Sequence, residues 1–172
     1  AGTCCSLPRA PLYMRLSLMS AVRSPTEHSR RYPTHPMIGV GAIVLRDDAV
    51  LVVLRDREPH RGYWSLPGGL LELGERVEEA VRREVREETG LVVEPVALVE
   101  VFERILRDES GRVEYHYVLL DYLCRPLSGE VQAGSDARSL RWVRREELSQ
   151  CRLTEGTLPV IQKAFQLART LR

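Results

Sequence analysis

The segment from Glu75 to Thr89 is the part of the chain whose periodicity restricts its fold most. Its apolar residues recur at helical spacing and form one stripe, made by Val77, Ala80, Val81 and Val85. Gly90 follows the last of these turns and fits a helix C-cap, because glycine adopts the left-handed conformation easily. The run Pro67-Gly68-Gly69 before the segment predicts a tight turn. The sequence therefore predicts an amphipathic helix that is entered from a glycine-rich turn.

Three carboxylates lie together on this predicted helix. Glu84, Glu87 and Glu88 stand at i, i+3 and i+4, which places them on one face. Like charges at this spacing destabilise a helix by about 0.2–0.5 kcal/mol per pair, so a bound cation would offset the repulsion. Oxygen ligands favour Mg²⁺ or Mn²⁺ over zinc. The alternative is a solvent-exposed helix with ion pairs between neighbouring Glu and Arg residues. The three carboxylates alone do not decide between a cation site and such a helix.

The rest of the chain after residue 36 alternates between β-type runs and polar turns. Met37–Leu45 and Ala49–Leu54 are apolar runs joined by a polar turn, which predicts a hairpin. Further strands are predicted at Trp64–Leu66, within Leu91–Leu106, at Arg112–Cys124 and at Leu140–Val143, and a closing helix at Val160–Leu171. Residues 1–36 lack clear periodicity and are rich in Arg, Ser and Pro, which predicts a flexible N-terminal extension. We expect one mixed α/β domain over residues 37–172.

Composition restricts the class of partner. The net charge is +1, from 25 basic and 24 acidic residues, so no global field indicates nucleic acid or a membrane surface. No apolar run reaches the roughly 20 residues that span a bilayer. The four cysteines include no C-x-x-C pair, and no His lies at zinc-ligand spacing from them. Reduced thiols are typical of cytoplasmic proteins, and we expect this compartment.

Residues 69–91 carry a pattern of nine specified positions at fixed spacing. Gly69 is followed after five residues by Glu75, and after seven more by Arg83-Glu84-Val85-Arg86-Glu87-Glu88-Thr89-Gly90-Leu91. This run resembles the Nudix box, G-x5-E-x7-R-E-U-x-E-E-x-G-U with U an apolar residue, and every position matches. Flanking strands in the expected order extend the resemblance to about residues 37–170.

The resemblance implies a fold and a set of roles. The fold is an α/β/α sandwich with a mixed sheet and a loop-helix-loop catalytic motif, and the reaction is hydrolysis of a nucleoside diphosphate linked to another group. Glu84, Glu87 and Glu88 would bind catalytic Mg²⁺ or Mn²⁺, with the carbonyl of Gly68 as a further ligand. Arg83 would orient these glutamates. The structural positions of the motif would be Gly69, Glu75, which ties the loop to the helix, and Gly90.

The general base is left open by the sequence. Asp136 is one candidate, because it lies in a breaker-rich segment six residues before Trp142 and resembles the loop acid of relatives that clean up oxidised guanine nucleotides. A turn-stabilising role for Asp136 is the alternative. Glu84 and Glu114 are the other candidates.

Substrate contacts are predicted from arginines and aromatic residues near the box. Trp64 either stacks on a base or packs in the core. His116 either contacts the substrate or has a structural role, and strand alternation places it on the face opposite Tyr115 and Tyr117. Forked guanidinium donors suit phosphate, and the candidates are Arg46, Arg55, Arg57 and Arg61.

Three functions are compared. The run from Gly62 to Glu75 resembles small Nudix enzymes that hydrolyse ADP-ribose, although the proline that marks one ADP-ribose subgroup is replaced here by the run Leu106-Arg107-Asp108. A nucleoside triphosphate pyrophosphatase that cleans the nucleotide pool is the second possibility. A non-catalytic nucleotide sensor is the third, and the complete set of box glutamates argues against it. Many relatives build the pocket across a dimer, so the resemblance also implies a homodimer.

Overall fold

The structure is a computed structural model that describes residues 30–56, 58, 60–132 and 137–171. It contains seven strands and two α-helices within these ranges. The strands are β1 (Met37–Arg46), β2 (Ala49–Arg55), β3 (Trp64–Ser65), β4 (Gly68–Leu70), β5 (Val92–Arg107), β6 (Val113–Ser128) and β7 (Ala137–Arg144). The helices are α1 (Val77–Thr89) and α2 (Thr157–Thr170), and a 3-10 helix spans Arg145–Gln150.

The strands form a mixed sheet around β1. The path through the sheet is β3-β2-β1-β6-β5, with β4 also paired to β1 and β7 also paired to β2. Strand β1 is parallel to β6 and antiparallel to β2 and β4. The predicted β1–β2 hairpin is confirmed, because Leu45 pairs with Val50 and Arg46 with Ala49. Strand β1 therefore pairs with β4 near its beginning and with β2 at its end, and this change of neighbour leaves room for a cleft.

Helices cover both faces of the sheet. One core cluster joins Val40, Ala42 and Val44 of β1 to α1 through Val81 and Val85. The alternate residue of β1, Ile43, lies in a second cluster with α2, through residues that include Ile161, Ala164 and Phe165. This alternation follows from the two-residue period of a strand. The predicted α/β/α architecture with a mixed sheet is confirmed.

Several element bounds differ from the sequence prediction. Helix α1 begins at Val77 rather than Glu75, because Glu75 turns back to join Arg83 and Arg76 becomes the N-cap. Strand β6 continues to Ser128, four residues beyond the predicted end at Cys124. Strand β4 occupies Gly68–Leu70, where only a turn was predicted. The 3-10 helix at Arg145–Gln150 was not predicted.

Residues 30–36, which the sequence assigned to the N-terminal extension, lie beside the turn between β5 and β6. The Tyr32 N–H donates to the carbonyl of Glu114 at 2.8 Å, and its hydroxyl donates to Asp108 Oδ2 at 3.0 Å. The remainder of that predicted extension, residues 1–29, lies outside the described residues. In the part of the chain that is described, no helix is long and apolar enough to cross a membrane.

Candidate active site

The glycine-rich turn and α1 are held together by one arginine. Arg83 donates from Nε to Glu75 Oε1 and from Nη2 to Glu75 Oε2, both at 2.9 Å. It also donates to Glu84 Oε1 at 2.7 Å and to the carbonyl of Leu70 at 3.1 Å. Its Nη1 lies 3.5 Å from Glu87 Oε2. Arg83 thus connects the loop residue Glu75 to Glu84 and Glu87 on the helix.

Glu84 is held close to the backbone of the turn. A Cβ atom on Gly69 would lie 2.4 Å from the Glu84 carboxylate, so only glycine leaves room for this approach. The side chain of Glu84 is only 15% exposed. Burial raises the pKa of Glu84 above its ordinary value, and the neighbouring Arg83 acts in the opposite direction. A desolvated carboxylate in this position favours a cationic partner.

The acidic face of α1 is formed together by Glu84, Glu87 and Glu88. Glu88 Oε2 accepts a hydrogen bond from the N–H of Gly68 at 2.9 Å, which fixes it against the turn. Glu87 is 62% exposed and points away from the core. Gly90 ends α1 in the left-handed conformation, with φ 73°, and its N–H donates to the carbonyl of Arg86 at 3.0 Å, so the predicted C-cap is confirmed.

These carboxylates line a cleft of about 370 Å³. That volume is within the range of small-molecule sites. The opposite wall is one face of the β5–β6 hairpin, and the floor includes Gly39 and Gly41 of β1. The wall residues alternate along each strand, and they are Phe102, Arg104, Tyr117, Leu119 and Asp121. The cleft therefore combines an acidic side with a wall that carries both charges and aromatic rings.

The cleft also contains basic groups. Arg55, at the end of β2, and Arg104 both line it, and burial lowers the pKa of each guanidinium below its ordinary value. His60 lines the same cleft. In the described chain, the atoms His60 Nε2 and Arg104 Nε are buried without a hydrogen-bond partner. Donors that face a cleft in this way are suited to an anionic or acceptor-rich ligand.

A divalent cation fits the donor set on chemical grounds. Glu84, Glu87 and Glu88 supply only oxygen donors, which hard cations such as Mg²⁺ and Mn²⁺ prefer. Within the described residues, no three His, Cys, Asp or Glu side chains stand together as a preassembled metal site. The reason is visible in the contacts: Arg83 engages Glu84 and Glu87, while Glu88 is turned to the Gly68 N–H.

Of the predicted substrate contacts, Arg55 lines this cleft, whereas Arg46, Arg61, Trp64 and His116 do not. The guanidinium of Arg46 stacks over Trp142 at 4.4 Å, and Arg61 is an exposed residue 3.6 Å from Asp56 Oδ1. Trp64 packs against the α2-side core, the alternative that the sequence left open.

His116 Nε2 lies 3.1 Å from Glu103 Oε1, on the outer face of the hairpin. The predicted alternation along β6 is correct, because Tyr115 and Tyr117 stack at 6.2 Å, but Tyr117 rather than His116 lines the cleft.

The candidates for the general base are not brought together. Asp136 lies outside the described residues, as does Arg57. Glu114 accepts from Arg31 Nε at 2.7 Å at the far end of the hairpin and does not line the cleft. Sequence reasoning missed Arg104 and Asp121, although the single carboxylate inside the apolar run from Val118 to Cys124 was a usable signal.

Comparison with known proteins agrees with this geometry. The NUDIX domain family matches residues 35–164. A crystal structure of a MutT NUDIX hydrolase from Burkholderia pseudomallei superimposes with a TM-score of 0.66 at 34% identity, covering 75% of this chain and 98% of that one. The chain therefore belongs to the Nudix family.

Two curated relatives carry more specific names. An ADP-ribose pyrophosphatase of Methanocaldococcus jannaschii is 38% identical over 104 residues, which cover 60% of this chain and 59% of the relative. An 8-oxo-dGDP phosphatase of Mus musculus is 40% identical over 92 residues, which cover 54% of this chain and 26% of the relative. The matched segment thus spans less than two thirds of the length of either relative.

Proposed function

We propose that this chain is a divalent-cation-dependent pyrophosphohydrolase that acts on a nucleoside diphosphate linked to another group, with ADP-ribose or a similar nucleotide sugar as the preferred substrate. The observation that carries the proposal is the acidic face of α1, whose three glutamates line one cleft around the turn at Gly68 and Gly69. The name of the archaeal relative supports ADP-ribose as the substrate.

In this proposal the residues at the acidic face are either ligands of the cation or supports for those ligands. Glu84, Glu87 and Glu88, with the carbonyl of Gly68, would hold Mg²⁺ or Mn²⁺. When bound, these ions neutralise the diphosphate and lower the pKa of a water molecule. Arg83 keeps Glu84 in place, and the absence of a side chain at Gly69 leaves room for the Glu84 carboxylate beside the turn. The chain thereby supplies fixed positions, which phosphoryl transfer needs more than covalent chemistry.

Two of the basic groups of the cleft, Arg55 and His60, would bind phosphate oxygens of the substrate. Arg55 lines the cleft within electrostatic reach of Glu88, and its forked donors match phosphate. His60 adds a further donor or acceptor within the same cleft. A diphosphate would therefore lie between the glutamates and these groups.

A second function is supported by the name of the mouse relative, an 8-oxo-dGDP phosphatase. In this alternative the chain removes oxidised guanine nucleotides from the nucleotide pool. Product analysis with Mg²⁺ distinguishes the two functions. Cleavage of ADP-ribose releases AMP and ribose 5-phosphate. An oxidised guanine nucleotide releases a nucleoside monophosphate, together with phosphate from the diphosphate or pyrophosphate from the triphosphate. Absence of turnover on both substrate classes would contradict hydrolysis and favour a nucleotide-binding sensor.

We also propose that the chain forms a homodimer through β5. This strand has 16 residues and is at one end of the sheet path, and it exposes Val96, Leu98, Val101 and Ile105. Long edge strands with exposed apolar side chains favour pairing with another chain. Sedimentation equilibrium tests this proposal, and replacing Val101 with lysine should shift the mass toward that of the monomer.

A further inference from the structure

We propose that Asp121 and Arg104 form a reading pair that binds the nucleobase of the substrate and so determines which nucleotides the cleft accepts. The inference rests on the proposed function only in that the ligand is a nucleotide. The reading pair is defined by these two side chains. It belongs to the β5–β6 wall and is separate from the glutamates of α1.

Asp121 is aligned across three neighbouring strands with Gly41 and Gly68. Gly41 of β1 pairs with Gly68 of β4 on one side and with Asp121 of β6 on the other. Adjacent strands are separated by about 4.8 Å, so the backbone of Asp121 is about 10 Å from that of Gly68. A Cβ atom on Gly41 would lie 2.1 Å from Asp121 Oδ1. The carboxylate therefore extends over Gly41, which lies between Asp121 and Gly68 in this row of aligned residues.

The carboxylate of Asp121 has no donor of its own. Asp121 is 8% exposed, and none of the hydrogen bonds and ion pairs among the described residues involves its side chain. Burial raises its pKa to about 6, Glu100 adds to this rise and Arg104 opposes it. A carboxylate that is largely removed from water and has no donor beside it is costly, and such groups in native structures have a reason. A ligand that presents an N–H or O–H group would satisfy it.

Arg104 supplies the complementary group. One of its terminal nitrogens, Nη2, donates to the carbonyl of Glu155, while its Nε is buried without an acceptor. Its guanidinium carbon lies 5.5 Å from the centre of the Phe102 ring. The inner wall thus offers a hydrogen-bond acceptor, a donor and an aromatic ring within the same cleft.

This combination selects one class of ligand group. A phosphate carries acceptors alone, so it would satisfy Arg104 but be repelled by an ionised Asp121. A ribose hydroxyl offers a donor but no planar face for Phe102. The edge of a nucleobase carries a donor beside an acceptor, and its face stacks on aromatic rings. The nucleobase is therefore the part of the nucleotide that matches the wall.

Binding without catalysis tests the proposal. Calorimetry is performed on the full chain without divalent cations, with AMP, GMP, UMP and ribose 5-phosphate as probes. We expect the wild type to discriminate between the bases and Asp121→Asn to weaken the preferred one about tenfold, as for loss of one hydrogen bond to a charged group. Affinity for ribose 5-phosphate should stay unchanged. The matched control is Glu103→Gln, because Glu103 lies on the outer face of the same hairpin against His116.

Two results would overturn the inference. In one, Asp121→Asn binds AMP, GMP and UMP with the same affinities as the wild type. In the other, Asp121→Asn loses affinity for ribose 5-phosphate as much as for the preferred nucleotide, which would assign Asp121 to the sugar phosphate. Arg104→Met provides a second route if Asp121→Asn does not fold, and an unaltered base preference in Arg104→Met would also overturn the inference. A chain that binds bases as expected but hydrolyses nothing would contradict the proposed function and leave the reading pair intact.

Discussion

The guanidinium of Arg83 is forked onto the carboxylate of Glu75, with both nitrogen–oxygen distances at 2.9 Å. These residues are eight positions apart, one in the loop before α1 and one on the second turn of the helix. The same guanidinium reaches Glu84 at 2.7 Å. The loop, the helix and the innermost carboxylate of the acidic face are therefore held by one side chain, and the position of Glu84 depends on it.

Replacing Arg83 with lysine tests this arrangement. Lysine keeps the charge but loses the planar fork, so we expect the free energy of unfolding to fall by about 1–3 kcal/mol. Turnover should fall as well, because Glu84 loses its support. Denaturant unfolding measures the first effect. The control is Arg82→Lys, whose exposed pair with Glu78 has a distance of 3.9 Å and should change stability by less than about 0.5 kcal/mol. Equal effects of the two variants would contradict the account.

The glutamates of the acidic face should be needed for chemistry and not for folding. We expect Glu87→Gln and Glu88→Gln to abolish turnover, because each removes a charge that would bind the cation. Glutamine at 88 still offers a carbonyl oxygen to the Gly68 N–H. Thermal unfolding should remain close to that of the wild type. Glu78→Gln, on an exposed turn of the same helix, should retain full activity. Unfolding of the Glu87 variant would contradict its assignment.

The short approach of Glu84 to Gly69 predicts a steric effect. Alanine at position 69 would place a Cβ atom 2.4 Å from the Glu84 carboxylate. The carboxylate must then move, and we expect turnover to fall by at least about tenfold, the equivalent of 1.4 kcal/mol in the barrier. Gly111→Ala is the control, because its φ of 78° strains alanine but the space beside it is open. That variant should lose about 1 kcal/mol of stability and no activity.

The burial of Asp121 predicts a dependence of stability on pH. Its pKa is raised from 3.8 to about 6 in the folded state, so folding takes up a proton between these values. The free energy of unfolding therefore falls as the pH rises through this window, by about 3 kcal/mol in total. Asp121→Asn removes this contribution. Urea unfolding of both proteins from pH 3.5 to pH 7 should show the variant gaining on the wild type, and a constant difference would contradict the burial of a charged group.

The sequence predicted the motif better than its surroundings. The spacing of the box located Arg83, Glu75 and the three glutamates, because a helix converts i, i+3 and i+4 into one face. The hairpin at Met37–Leu45 and Ala49–Leu54 followed from two apolar runs around a polar turn. These features depend on the spacing of residues that are close in the chain, and this spacing can be read directly from the sequence.

The wall of the cleft could not be predicted because it depends on the partners of β6. Apolar residues occupy both faces of this strand: Tyr122 and Cys124 pack on the α1 side, while Leu123 packs on the α2 side. Alternation separated His116 from Tyr117 correctly but did not indicate which face is the inner one. That choice is made by the parallel pairing of β6 with β1, which places Asp121 beside Gly41. Such a contact joins residues 80 positions apart.

Whether the acidic face of α1 holds a divalent cation can be measured by electron paramagnetic resonance of Mn²⁺ with a non-hydrolysable nucleoside diphosphate analogue present. We expect the wild type to take up Mn²⁺ and Glu78→Gln to bind it as the wild type does. Glu87→Gln and Glu88→Gln should each weaken Mn²⁺ binding at least about tenfold, because each removes a carboxylate ligand. Equal Mn²⁺ binding by the wild type and both variants would contradict a cation site on the acidic face of α1.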